Sequence, residues 1–175
     1  MGSRRTWWYV ASGWEADRRL RSYGLKRGKG MAMHGGCACG AVRYELARDE
    51  LPKVYCCHCR DCQSRSGSAF IQTAIVHPDE LVVTGPLITL HNQLPSGTKF
   101  DVRACGECIS TIYSQSEDIS QMLLLRAGSL DESSEIIPVA HVYANRKQPW
   151  IVLPDDAPQW EEAPSAEFFD LMGLA

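Results

Sequence analysis

Four cysteines and a histidine stand within seven residues, Cys56-Cys57-His58-Cys59-Arg60-Asp61-Cys62, and all eight cysteines of the chain lie between positions 37 and 108. So dense a set of soft donors restricts the fold more than any hydrophobic pattern. The backbone must either turn sharply enough for several sulfurs to converge on one ion or be cross-linked by disulfides. Residues 1–30 lack the apolar core and small-residue cleavage site of a secretory signal, so a cytoplasmic, thiol-reducing setting is expected, in which disulfides are rare. Cys37-Ala38-Cys39 and Cys56-Cys57 are also spaced too closely for easy internal pairing. The spacing points to metal.

Cys37 and Cys39 form one chelating pair and Cys105 and Cys108 another, sixty-six residues away from Cys39 to Cys105. Four thiolates at tetrahedral corners make a closed zinc site with no redox chemistry and no vacant position, so this set is expected to be structural. Closing so long a loop through an ion couples metal binding to folding. Cys57, Cys59 and Cys62 have the spacing C-x-C-x-x-C. Three sulfurs leave one tetrahedral corner for an exchangeable ligand, the arrangement that catalytic zinc usually keeps. The alternative is a second closed site, with Cys56 or His58 as fourth ligand; against it, neighbouring side chains in extended backbone point to opposite faces. Two zinc ions per chain are expected in either case. Arg60, Asp61, Gln63, Ser64 and Ser66 beside the second set read either as groups that orient a polar ligand or as ordinary turn residues. His77, His91 and His141 stand alone on strand-like segments.

Between the cysteines, short β-branched or alternating runs are punctuated by Gly, Pro, Asp and Asn. Strands are predicted at 42–46, 70–76, 80–84, 87–91, 100–104, 110–114, 122–127, 139–143 and 150–153, in a mainly β domain of hairpin-connected antiparallel sheets. The domain is expected to span residues 31–153. Residues 1–30, with eight Lys/Arg against two Asp/Glu, read as a basic N-terminal extension, disordered or not native to the folded unit, although Trp7, Trp8 and Trp14 are unusual in a disordered segment. Residues 154–175 read as an acidic tail in which Pro164-Ser165 opens a short helix ended by Gly173. The remainder after residue 30 carries ten basic against nineteen acidic residues, a poor electrostatic match for a phosphate backbone, so nucleic acid is disfavoured as a partner. No apolar run approaches the roughly 20 residues that cross a bilayer.

Several motifs in fixed order resemble the family of the glutathione-dependent formaldehyde-activating enzyme and centromere protein V. They are His34-Gly35-Gly36-Cys37-Ala38-Cys39-Gly40-Ala41-Val42-Arg43-Tyr44-Glu45, Cys57-His58-Cys59-Arg60-Asp61-Cys62-Gln63 and Gly67-Ser68-Ala69-Phe70. Cys105 and Cys108, Ala127-Gly128-Ser129-Leu130-Asp131, Pro138-Val139-Ala140-His141-Val142 and Lys147-Gln148-Pro149-Trp150 continue the plan. The resemblance covers about residues 33–153. It implies a zinc-pinned β-tent fold, a structural zinc on Cys37, Cys39, Cys105 and Cys108, and a second, catalytic zinc on Cys57, Cys59 and Cys62. It further implies a carbon–sulfur lyase that adds glutathione to formaldehyde, giving S-hydroxymethylglutathione. A noncatalytic zinc scaffold for protein or nucleic acid is the alternative that centromere protein V suggests, and a homo-oligomer is compatible with either.

At the third motif the chain departs from the family, with Ala104 where an aromatic is common and Ile109 where Gly commonly follows the last cysteine. Gly106 is expected to supply the backbone freedom that Ile109 lacks.

Overall fold

The computed structural model describes residues 32–94 and 97–174. The basic extension 1–30, its three tryptophans, and positions 95 and 96 lie outside the described residues.

Among the described residues the structure is mainly β, with eleven strands in two sheets and two α-helices. The smaller sheet has the order β1-β2-β5, formed by β1 (Met33–Gly36), β2 (Arg43–Leu46) and β5 (Leu81–Thr84), all antiparallel. In β2 the alternation is plain: Arg43 and Glu45 are exposed, Tyr44 and Leu46 buried. Gly35 is required where β1 crosses the Tyr44 ring, since a Cβ there would collide with that ring and with the Ser129 carbonyl. The Tyr44 hydroxyl meets Ser129 Oγ at 2.9 Å.

The larger sheet runs β11-β10-β3-β4-β9-β8-β7-β6. Its strands are β3 (Val54–Cys57), β4 (Ile71–Val76), β6 (Leu87–Gln93), β7 (Lys99–Cys105), β8 (Thr111–Ser116), β9 (Leu123–Arg126), β10 (Ala140–Val142) and β11 (Gln159–Trp160). The antiparallel expectation fails at one end, because β10 pairs parallel with both β3 and β11. Long connections make this possible, β10 being reached from β9 by two 3-10 turns and left by the irregular segment 143–158, which includes the 3-10 turn Ala144–Arg146.

β4 lies between β3 and β9 and is buried at nearly every position, so it reads as a continuous apolar run, Ala74-Ile75-Val76, rather than an alternation. One face of the larger sheet, carrying Val54, Ala74, Val76, Leu123 and Leu125, packs with Met33, Tyr44 and Leu46 of the smaller sheet in the main core. On the opposite face Ile75, Ala140 and Val142 pack with Phe168 and Met172 of α2 (Ala166–Met172). Phe168 stands edge-on to both Tyr55, at 5.1 Å, and Trp160, at 5.5 Å, and is buried. Residues beyond 153, expected as an acidic tail, thus contribute a strand and a helix to this second face.

No strand forms at 150–153. Its alternation is real, with Trp150 and Val152 exposed and Ile151 and Leu153 buried, but Pro149 and Pro154 flank it and withhold the amides that pairing needs. Among the described residues no helix is long and apolar enough to cross a membrane.

Candidate metal centres

Cys37 follows β1 directly, and Cys105 is the last residue of β7. The tight turns after them bring in Cys39 and Cys108, so that the four sulfurs lie within 4.8 Å of one another. Cys37 and Cys39 Sγ are 3.4 Å apart and Cys39 and Cys105 Sγ 3.8 Å. Zn–S bonds of about 2.3 Å at tetrahedral corners require sulfurs about 3.8 Å apart, so the set could close on zinc with small adjustments. Backbone amides already point at the sulfurs: Val42 N–H donates to Cys37 at 3.2 Å and Glu107 N–H to Cys105 at 3.4 Å. Ser110 Oγ lies 3.2 Å from Cys108 Sγ, and with the Ser110 amide it holds the Cys108 thiol down to about 5. Such donors favour the thiolate, the form that binds metal.

The second cluster is built where β3 turns into α1 (Arg60–Ser66). Cys57 ends the strand, Cys59 is the helix N-cap and Cys62 sits in the first turn. Their sulfurs also lie within 4.8 Å of one another. Cys62 N–H donates to Cys59 Sγ at 3.3 Å, so the sulfur does the capping that a Ser or Asp oxygen usually does. Hydrogen bonds from the Cys57 and Cys62 thiols, with the Cys62 and Asp61 amides, hold the Cys59 thiol far below its usual range. The same sharing pushes Cys57 up to about 11, chiefly through Cys59, and raises Cys62 through Cys57 and then Cys59. Three thiols competing for one negative charge is a donor set suited to a dication.

Neither candidate for a fourth ligand joins this cluster. His58 is fully buried with its ring turned to His141, Nε2 to Nδ1 being 3.1 Å, and against Phe70. Burial, then the neighbouring His141, lowers the His58 pKa to about 4, which keeps the ring neutral. Cys56 is buried and alternates to the other side of β3 from Cys57, and burial alone raises its thiol to about 12.

Gln63 fixes the turn. Its Nε2 donates to the His58 carbonyl at 2.6 Å and to the Arg146 carbonyl at 2.9 Å, tying the Cys57–Cys59 bend to the turn after β10. Ser66 Oγ donates to the Cys62 carbonyl at 2.7 Å, the turn chemistry expected of it. Gly67, in the left-handed region at φ 64°, ends α1. An open groove of about 590 Å³ is lined by Arg60, Ser64, Ser68, Gln148 and Trp150. Gln63, which braces the cysteine bend, also lines it, whereas none of Cys57, Cys59 and Cys62 does.

Arg126 is a charged residue at this site that spacing gave no reason to single out. It lies in β9, sixty-four positions after Cys62, and only the sheet register brings it near. Its guanidinium is half-buried and interacts electrostatically with Cys62, Tyr55 and Cys57.

The model of the family described as glutathione-dependent formaldehyde-activating enzyme matches residues 32–146 of this chain. No curated protein matches it. The crystal structure of a Rhodobacter sphaeroides protein, a structural genomics target, aligns with 61% of this chain and 98% of its own at 21% identity, with a TM-score of 0.45.

Proposed function

The chain belongs to the glutathione-dependent formaldehyde-activating enzyme family, and from that premise we propose that it is a zinc-dependent carbon–sulfur lyase acting on a small thiol and a small aldehyde. Glutathione and formaldehyde are the leading pair, with S-hydroxymethylglutathione as product. The observation that carries this reading is the three-cysteine cluster from which both His58 and Cys56 are turned away. Three protein donors match the ligand count of a zinc that exchanges its remaining ligand.

Cys57, Cys59 and Cys62 would hold this zinc, and Cys37, Cys39, Cys105 and Cys108 a structural one. Zinc bound by the three cysteines would supply a Lewis acid that favours the thiolate form of a small thiol at neutral pH. The reaction balances without any oxidant. The sulfur forms a bond to the aldehyde carbon, the carbon–oxygen π bond opens onto oxygen, and the proton lost by the thiol ends on that oxygen.

The chain's contribution is chiefly positional. Gln63 locks the bend that aims the three sulfurs together, and the α1 amides of Asp61 and Cys62 hold negative charge on Cys59. The buried His58–His141 pair, neutral and with His58 packed on Phe70, backs the bend without entering it.

The test is exchange spectroscopy. The zinc-loaded protein is expected to accelerate NMR exchange between free and glutathione-bound formaldehyde at least about 10-fold, roughly 1.4 kcal/mol of barrier. Cys59→Ser is expected to return it to the uncatalysed rate while the first cluster keeps its metal. Equal exchange with and without the protein would remove the reading.

A further inference from the structure

Tyr55 pairs with Thr73 across β3 and β4, and Thr73 pairs with Arg126 across β4 and β9. Directly opposed residues project to the same face of a sheet, and so do residues two apart on one strand. Tyr55, Cys57, Thr73 and Arg126 therefore share a face, the one on which Cys59 and Cys62 pack. Among the described residues no carboxylate pairs with Arg126, in contrast to Arg43, bidentate on Asp131, and Arg48, bidentate on Glu80. A half-buried guanidinium without an acidic partner is costly to keep. Its ionisable neighbours on that face are Cys62, Tyr55 and Cys57, and of these the two cysteines would become anionic on binding a metal ion.

The charge balance at the cluster gives this placement a use. A dication held by three thiolates carries a net charge of −1, and an anionic sulfur ligand makes the site doubly negative on a partly desolvated face. Without a nearby cation such a site favours neutral donors over thiolates.

We propose that Arg126 is a specificity-determining residue of the three-cysteine site, its guanidinium offsetting the charge of an incoming anionic sulfur so that the site selects a thiolate over a neutral ligand. The inference rests on the reading of that site as a metal centre open to a thiol. Arg126 acts on the sulfur charge and not on a carboxylate elsewhere in the substrate, and mercaptoethanol, which has no carboxylate, is therefore subject to the same selection as glutathione.

The full-length protein loaded with cobalt(II) provides a readout independent of turnover, since its sulfur-to-metal charge-transfer and visible bands report each ligand that enters. Mercaptoethanol, glutathione and imidazole are titrated separately into the wild type, Arg126→Gln and Arg126→Lys. In Arg126→Gln both thiols are expected to bind about 10-fold more weakly, with imidazole unchanged, and Arg126→Lys to recover most of the loss. Equal losses for thiols and imidazole, no loss for either, or a loss confined to glutathione would each overturn the proposal. If the cobalt-loaded wild type answers to no thiol, the open-site reading falls and this inference with it. If it does answer and Arg126→Gln behaves identically, only the role of Arg126 falls.

Discussion

Ile109 shows what a single residue costs this fold. It lies in the left-handed region at φ 61°, where a β-branched side chain is a genuine outlier, and its side chain is largely exposed. Its amide donates to the Cys105 carbonyl at 3.0 Å, closing the turn that carries Cys108, so the conformation is imposed by the metal-ligand knuckle. Gly106 does not supply the freedom expected of it. It has no positive φ, and a Cβ there would meet the Pro86 carbonyl at 3.2 Å, so it serves close approach instead. Ile109→Gly should therefore remove strain while giving up little packing, partly offset by the entropy glycine adds to the unfolded chain. The expected outcome is a net gain of about 1 kcal/mol, read in a thermal melt as a rise of about 2–4 °C. Ile109→Val, which keeps the β-branch, should show no such rise.

Among elements, the junction before β5 concentrates two devices on one carboxylate. Glu80 accepts from Arg48 Nε at 2.9 Å and Nη2 at 2.8 Å, and from the His77 amide at 2.8 Å, completing the cap of the 3-10 turn Pro78–Glu80. The Arg48 hydrogen bonds, opposed by burial and helped by the His77 amide, lower its pKa. A carboxylate depressed in the folded state adds stability that is fully present above its unfolded value, about 4.3, and is lost as pH falls through the folded one. Glu80→Gln is thus expected to cost about 1 kcal/mol near neutral pH in denaturant titrations, the gap closing below about pH 4. A gap that stayed unchanged from neutral pH down to the acid unfolding transition would mean that the carboxylate charge is not its source. What was legible among the elements follows from the same physics. Runs such as Arg43–Leu46 and Leu81–Thr84 announce themselves by alternation or β-branched content. Three strands and a helix did not. β1 is half glycine, chosen for the approach to Tyr44; β3 ends in cysteines that read as ligands; and β11 is two residues long and exists only because β10 offers an edge. α1 is short, capped by a sulfur and carries one fully ligand-directed stripe, so it has no apolar periodicity to detect. The cysteine groupings could be read from spacing because chelation within a turn is local, whereas Arg126 reaches the site only through sheet register.

Across the whole molecule the two clusters hold different things together. The first joins the end of β1, in the three-stranded sheet, to the end of β7, in the eight-stranded sheet, with the main core between them. The second ties only the end of β3 to the helix that immediately follows it. Bridging positions sixty-six residues apart, from Cys39 to Cys105, restricts the unfolded chain by about 4 kcal/mol in a loop-closure estimate, while a five-residue span restricts it far less. Metal bound at the first cluster should therefore govern global stability, and metal at the second should not. Cys105→Ser is expected to lose one metal per chain in native mass spectrometry and to melt far below the wild type or not fold, and excess chelator should reproduce this in the wild-type protein. Cys59→Ser should also lose one metal, yet melt within a few degrees of the wild type. Equal destabilisation by the two substitutions would mean that the second cluster also carries the fold, and that its three sulfurs are kept for stability rather than for exchange.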